Sequence, residues 1–203
     1  MILSHAYIIN LDHRKDRLAS ITEQCEKNNL KMHRIPAVNG NEKYFDVEKR
    51  KRGFFACYDS HKKVLEMLLD VEGNYFLVAE DDCIFADNFR VKLSKYYEQL
   101  PTTWELLYLG GSAVVDGATE PFSYNLMRAK HIFCTHCYVI KKTAIPELIK
   151  TLETRQWKVD VLFCEFQKEH NCFITTPELA WQMAGLSDVE NKITDNVHLR
   201  INS

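Results

Sequence analysis

Three consecutive carboxylates, Glu80, Asp81 and Asp82, come directly after an apolar run at residues 75–79. The run has the length and the aromatic and β-branched content of a strand that is buried on both faces. On an extended strand Glu80 and Asp82 share one face, and Asp81 points to the other. Two acids on one face of a strand tip predict half of a site for a hard divalent cation that also takes phosphate oxygens. The alternative is a solvated acidic turn that caps the next helix.

A second polar segment, NLDHRKDR at residues 10–17, follows the first apolar stretch of the chain. Nucleotides often bind after the first strand of an α/β fold. Asp12, Arg14 and Arg17 would then lie over the edge of the sheet, where an arginine can clamp a phosphate or stack on a base. Helix capping by Asp12, with arginines that only carry surface charge, explains the segment equally well.

Ser60 and His61 lie near the start of a predicted helix. Polar side chains at a helix N-terminus favour anion binding, although a capped helix with a surface histidine has the same pattern. The pair does not predict a nucleophile and its base, because neighbours in sequence point apart on a helix. Cys134 and Cys137 form a CxxC pair, but we expect them on a strand, where residues three apart face opposite ways. A zinc site there is therefore not predicted, and both are interpreted as small buried side chains.

Hydrophobic periodicity places these segments on alternating strands and helices. This order predicts an α/β sheet with helices on both faces, and ligands bind such sheets beyond the carboxyl ends of the strands. Gly53 is expected to break the chain before the second predicted helix, and residues 112–130 are expected to form a loop. The predicted strands are 6–11, 32–37, 74–82, 104–109 and 132–140, and the predicted helices are 15–29, 56–71, 88–99 and 144–153.

The composition is that of an ordinary globular domain. The 203 residues are 46% hydrophobic and 27% charged, with a formal net charge of −2, which gives no general attraction to nucleic acid. No apolar run reaches the ~20 residues of a membrane span. The N-terminus lacks the basic region of a signal peptide. Seven scattered cysteines, an odd number, favour reduced thiols in a cytoplasmic, bacterial or viral setting.

Four motifs in this order resemble glycosyltransferase family 25, which includes bacterial lipooligosaccharide galactosyltransferases and collagen hydroxylysine galactosyltransferases. They are YIINLDHRKDR, RIPAVNG, ACYDSHKKVLEML and FLVAEDDCIF. The resemblance extends more loosely over roughly residues 5–190. It implies one GT-A-like (Rossmann-like) domain over residues 1–203, with a mixed, mostly parallel sheet flanked by helices. Residues 1–111 would form the nucleotide-sugar half and residues 112–203 the acceptor half.

The resemblance also implies site residues. The acidic triplet would be the DxD-type motif, in which Asp82 binds Mn²⁺ (or Mg²⁺) on the diphosphate of a UDP-hexose and Glu80 approaches the ribose or the waters of the metal. Family members make β-linkages from α-linked donors, so inversion is expected, with Asp160 as the base unless it is only a helix cap. Donor contacts would come from Asn10, Leu11, Asp12, Arg14, Arg17, Ser60, His61, Asp81 and Asp188, whereas His136 would line the acceptor cleft or be a buried strand histidine.

The expected acceptor is a hydroxyl of a glycan or of hydroxylysine. A peripheral membrane contact through the basic run at residues 49–52 is compatible with the sequence, although a solvated surface is the simpler interpretation. A nucleotidyltransferase would use the same metal chemistry, but the segment after the first strand lacks the glycines of its phosphate loop. The non-enzyme alternative is a degenerate transferase domain that binds a UDP-sugar or serves assembly.

Overall fold

A computed structural model describes residues 3–189 and 192–194 of the chain. Its centre is an eight-stranded sheet, and two further two-stranded sheets lie outside it. The elements, in chain order, are β1 (His5–Asn10), α1 (Lys15–Lys27), β2 (Lys31–Pro36), α2 (Gly40–Lys43), α3 (Lys49–Leu69), β3 (Tyr75–Glu80), β4 (Cys83–Phe85), α4 (Phe89–Tyr97), β5 (Leu106–Tyr108), β6 (Thr119–Pro121), β7 (Leu126–Ala129), β8 (Cys137–Lys141), α5 (Ile145–Glu153), α6 (Val159–Glu169), β9 (Cys172–Thr175), β10 (Ala180–Gln182), β11 (Gly185–Ser187) and β12 (Lys192–Thr194).

The central sheet is mixed, with the strand order β2-β1-β3-β8-β5-β9-β7-β6. The strand β1 is parallel to β2 and β3, and β5 is parallel to β9, whereas β7 and β8 are antiparallel to their neighbours. Six of its eight strands therefore point in one direction. The predicted GT-A-like class, a mixed and mostly parallel sheet flanked by helices, is confirmed. Its strands come from both sides of residue 111.

Helices cover both faces of this sheet. Buried side chains of α3, α5 and α6 pack on one face, and those of α1 and α4 pack on the other. The strand β3 lies in the middle and is apolar toward both layers, with Leu77, Val78 and Ala79 fully buried, as the sequence predicted. None of the described helices has the length and apolar character needed to span a membrane.

The predicted break at Gly53 is wrong, because this glycine lies inside α3, which begins at Lys49 rather than at residue 56. Gly53 serves a close approach instead. A Cβ atom at this position would lie 2.3 Å from the carbonyl oxygen of Val189, so only glycine lets the chain near residue 189 contact the helix backbone. The basic run at residues 49–52 is consequently the first turn of α3. Ser60 and His61 therefore lie buried in the middle of this helix, so that the predicted position near its N-terminus is wrong and His61 is not a surface histidine.

Two expectations for the second half of the chain are also wrong. The supposed loop at residues 112–130 contains the antiparallel pair β6 and β7. The strand expected from residue 132 begins only at Cys137, and Cys134 before it has a φ of 70°, in the left-handed region. The argument that both cysteines lie on one strand therefore fails. Cys137 is fully buried in the core, whereas Cys134 is partly exposed.

Replacement of Gly110 by alanine is expected to destabilise the fold by about 3 kcal/mol or more. Gly110 follows β5, and a Cβ there would lie 1.8 Å from the carbonyl oxygen of Ala180, a backbone atom of β10. Gly111→Ala is the comparison variant, because its Cβ would meet a side-chain methyl of the buried Ile132 at 2.5 Å and a backbone oxygen, that of Phe133, only at 3.0 Å, so that a smaller loss is expected. Urea unfolding of both variants measures the difference. Equal losses would contradict the role assigned to the contact between Gly110 and β10.

Candidate functional site

A cavity of about 360 Å³ lies at the carboxyl ends of β1, β2 and β3, beside the start of β8. This is the edge at which ligands bind α/β sheets, and the volume is within the usual range for small-molecule sites. The side chains that line it include Leu11, Arg17, Cys57, Ser60, His61, Glu80, Asp81, Asp82, Cys134, Thr135, Lys158, Asp160 and Asp188.

The acidic triplet lines this cavity, but its geometry differs from the prediction. The strand β3 ends at Glu80, and the chain turns at Asp81 and Asp82, so strand alternation does not continue through the triplet. Both aspartates are bonded to one guanidinium group, with Arg17 Nη1 donating to Asp81 Oδ1 at 3.2 Å and to Asp82 Oδ2 at 3.1 Å. They are only 6% and 8% exposed, which rules out the alternative of a solvated acidic turn. The N-cap position of α4 is occupied by Asn88, whose side chain makes no capping hydrogen bond.

Asp82 has the environment of a cation ligand. Its Oδ1 atom is buried and has no hydrogen-bond partner, although Oδ2 is bonded to Arg17. Burial, followed by the negative charge of Glu80, raises the pKa of Asp82 to about 7. A buried acceptor without a partner is unfavourable unless a ligand satisfies it. A hard divalent cation, which prefers carboxylate oxygens, fits this position.

The carboxylate of Glu80 contacts the imidazole of His61 in the wall of the cavity. His61 Nε2 lies 3.3 Å from Glu80 Oε1 and 3.4 Å from Thr135 Oγ1, and His61 Nδ1 lies 3.2 Å from the hydroxyl of Tyr138. Burial raises the pKa of Glu80, but the hydrogen bond and charge of His61, together with the charges of His136 and Arg17, hold that pKa below its ordinary value. Glu80 is therefore a carboxylate in a position where burial alone would favour the neutral acid.

Of the polar segment at residues 10–17, some side chains line the cavity and others support the residues that line it. Leu11 and Arg17 line the cavity, whereas Asn10, Asp12 and Arg14 are not among the described lining residues. Asn10 is buried, and its side-chain amide donates to Asp81 Oδ2 at 2.7 Å. Asp12 is exposed and ion-paired with Arg34. It does not cap α1, whose N-cap residue is Arg14.

Two acids from the second half of the chain complete the wall. Asp160 is the second residue of α6, after the N-cap Lys158. The interpretation of Asp160 as the N-cap is therefore wrong, although its Oδ1 accepts a hydrogen bond from the Val161 amide at 2.8 Å. Burial raises the pKa of Asp160. Asp188 is ion-paired with Arg14 and lies 3.8 Å from Arg17.

The remaining predicted residues lie in or just behind the wall. Ser60 lines the cavity and is almost fully buried. Its hydroxyl donates to Ala56 O at 2.7 Å and accepts from the Val38 amide at 2.9 Å, which ties α3 to the chain after β2. His136 is buried behind the wall, with Nε2 3.3 Å from Ala180 O. Its Nδ1 atom has no hydrogen-bond partner, and burial lowers its pKa.

Several lining groups were not predicted as site residues. Residues 37–41 follow β2 and form one side of the cavity, and Cys57, Cys134 and Lys158 lie on its other sides. The position of residues 37–41 could have been found, because β2 is parallel to β1 and ends at the same edge. Cys57 could have been found too, because it precedes His61 by one helical turn. Cys134 and Lys158 carry no such signal in the sequence.

Comparisons with known proteins identify the family of the chain. The family model described as glycosyltransferase family 25 (LPS biosynthesis protein) matches residues 3–163. Human procollagen galactosyltransferase 2 is 28% identical over 167 residues, which cover 70% of this chain and 27% of that protein. A glycosyltransferase 25 family member of Anopheles gambiae is 27% identical over 178 residues, 73% of this chain and 29% of its own length. The chain thus spans less than a third of these curated relatives.

Among solved structures, a glycosyltransferase involved in glycosylation of the major capsid of PBCV-1 aligns with a TM-score of 0.49 and 11% identity, over 94% of this chain and 97% of its own. A putative glucose-1-phosphate thymidylyltransferase from Bacillus anthracis aligns with a TM-score of 0.45 and 12% identity, over 83% and 65%. The family match covers most of the chain and includes the acidic triplet, Arg17 and His61. The chain therefore belongs to glycosyltransferase family 25.

Proposed function

We propose that this protein is a metal-dependent, inverting hexosyltransferase. It would move a hexose, galactose in the first instance, from a UDP-sugar to a hydroxyl of a glycan or of hydroxylysine. The human and mouse relatives are procollagen galactosyltransferases, which motivates galactose as the sugar and hydroxylysine as an acceptor. Family membership supports the transfer chemistry. The cation is proposed from the chemistry of the cavity, whereas the UDP moiety and inversion are proposed from the resemblance to the family.

One observation carries the proposal: the buried Asp82 with an unpartnered Oδ1 beside two further acids. Arg17 supplies the positive charge within hydrogen-bond distance of Asp81 and Asp82. A single guanidinium does not balance the two aspartates when both are ionised, and Glu80 is already paired with His61. The excess negative charge favours a divalent cation, which in turn attracts a diphosphate. When bound, the ion would neutralise the charge that develops on the departing UDP.

The chain's own residues would position the two substrates on opposite sides of the acidic triplet. The chain after β1 and β2, which includes Leu11 and residues 37–41, forms the side proposed for uridine. Arg17 anchors Asp81 and Asp82 and thereby fixes the orientation of the cation ligand. Asn10 supports the same arrangement from behind, because its amide group bonds Asp81. Rigid support of this kind keeps a reacting group in place during transfer.

Asp160 is the proposed base on the acceptor side. It lies at the N-terminal end of α6 and lines the same cavity. Inverting transfer needs a group that removes the proton of the acceptor hydroxyl as it attacks. Because burial raises the pKa of Asp160, its carboxylate is a stronger base than an exposed aspartate. The proton would move from the hydroxyl oxygen to a carboxylate oxygen of Asp160 while the bond between the sugar and UDP breaks.

The test is release of UDP from a panel of UDP-sugars, with Mn²⁺ and with EDTA. Slow hydrolysis of one sugar nucleotide that requires Mn²⁺ is the expected result, because water can replace an absent acceptor. UDP-galactose is expected to be the substrate, with UDP-glucose, its epimer at one hydroxyl, as the matched control. Binding of UDP is measured in parallel by calorimetry.

The two readouts separate the possible outcomes. Mn²⁺-dependent binding of UDP without hydrolysis, or without transfer to any hydroxylated acceptor, would favour a degenerate binding domain. Hydrolysis that persists in EDTA would contradict the metal dependence. If UDP does not bind in the presence or in the absence of Mn²⁺, the proposal that the donor is a UDP-sugar is wrong.

A further inference from the structure

Cys57, His61 and Glu80 form a second group of metal-binding side chains in the cavity wall. One ligand atom from each of the three lies within 4.8 Å of the other two. Cys57 and His61 are separated by one turn on the same face of α3, and Glu80 is the last residue of β3. We propose that these three side chains form a zinc site, distinct in chemistry from the all-oxygen position at Asp82.

The distances are close to those of a tetrahedral ion. Ligand atoms that surround one zinc ion at about 2.0–2.3 Å lie roughly 3.3–3.8 Å from each other. His61 Nε2 and Glu80 Oε1 are already 3.3 Å apart. The Cys57 thiol therefore has to approach them by no more than roughly 1 Å. Cys57 is only half-buried and lines the cavity, so that a change of its rotamer meets open space.

His61 is oriented as metal-binding histidines are. Its Nδ1 atom lies 3.2 Å from the hydroxyl of Tyr138, so that Nδ1–H can donate a hydrogen bond there. A zinc ion would replace the proton through which Nε2 is bonded to Glu80. The ring also stacks on Tyr138 and meets the edge of Phe163. The side chain is fully buried, so packing holds the ring in this orientation. Such support from a second shell strengthens a histidine ligand.

The ligand types select the ion. A thiolate with an imidazole suits zinc, whereas Mg²⁺ and Mn²⁺ prefer carboxylate, carbonyl and water oxygens. Three protein ligands leave a fourth position open toward the cavity, as in zinc sites that bind a small molecule. Glu80 belongs to both this group and the acidic triplet. If the proposed transferase activity holds, zinc bound here would oppose the Mn²⁺-dependent reaction, but zinc binding itself does not rest on that activity.

The experiment measures binding of Zn²⁺ and Co²⁺ to the whole chain in a reducing buffer without nucleotide. One zinc ion per chain is expected, with an affinity that falls by at least about tenfold in Cys57→Ser. Cys134→Ser is the matched control, because Cys134 lines the same cavity but is not part of the group. The Co²⁺ complex is expected to show thiolate-to-cobalt charge-transfer absorption in the wild type and in Cys134→Ser, and to lose it in Cys57→Ser.

Zinc affinity that is equal in the wild type and Cys57→Ser, or a Co²⁺ complex without a thiolate band, would overturn the proposal. X-ray absorption of the wild-type zinc complex gives a readout that does not depend on folding of a variant. One sulfur and several nitrogen or oxygen neighbours are expected, and a shell without sulfur would contradict the site. None of these measurements uses transferase activity, so their results can be interpreted even if the proposed function is wrong.

Discussion

Replacement of Asp82 by asparagine is expected to lower Mn²⁺-dependent release of UDP by at least about 10²-fold, the size of effect seen when one electrostatic contact to a leaving group is lost. Asparagine has the shape of aspartate but no charge, so the position would lose the carboxylate that a hard cation requires. Mn²⁺-dependent binding of UDP should be lost with it. Initial rates of UDP release and calorimetric titration with UDP measure the two effects.

The same variant should fold normally. Burial and the charge of Glu80 raise the pKa of Asp82 to about 7, above its ordinary value, which means that the folded state disfavours the ionised carboxylate. Above pH 7 the substitution removes a charge that the fold tolerates poorly, so thermal stability should stay unchanged or rise. Asp87→Asn, a change of the same type at an exposed residue, is the control. Full Mn²⁺-dependent activity in Asp82→Asn would exclude the proposed cation site.

The position of the acidic triplet could be predicted because local sequence determines it. The apolar run before Glu80 specifies a strand buried on both faces, and the alternation of strands and helices specifies which edge that strand ends on. Its detailed geometry could not be predicted in the same way. The chain turns immediately after Glu80, and the single guanidinium of Arg17, 64 residues away from Asp81, brings both aspartates to one side.

Long-range contacts explain the errors as well. Gly53 has the local signature of a helix breaker, but its real constraint is the backbone of Val189, which no local pattern reveals. Asp12 is of a residue type that often caps helices, yet it pairs with Arg34 because β1 and β2 are parallel neighbours. The strands β6 and β7 are only 3 and 4 residues long, too short for a periodic signal.

The second large effect is expected at Asp160. In Asp160→Asn the acceptor-side base is removed, and hydrolysis of the UDP-sugar should fall by about 10²–10⁴-fold, because water also has to lose a proton as it attacks. The amide keeps an oxygen that can accept the Val161 N–H bond at the start of α6, so the helix should be retained. Single-turnover release of UDP at saturating donor measures the rate.

A variant in which the rate of hydrolysis falls but the affinity for UDP does not would show that Asp160 acts as a base and not as a structural residue. Affinity for UDP and Mn²⁺ should be unchanged in Asp160→Asn, since the acidic triplet and Arg17 are untouched, whereas a distorted cavity would weaken both. Glu169→Gln, at an exposed position on the same helix, is the matched control and should retain the wild-type rate. Hydrolysis by Asp160→Asn within threefold of the control would assign the base to another group. Because burial raises the pKa of Asp160, the wild-type rate should increase with pH as this carboxyl ionises, and the variant should lose that increase.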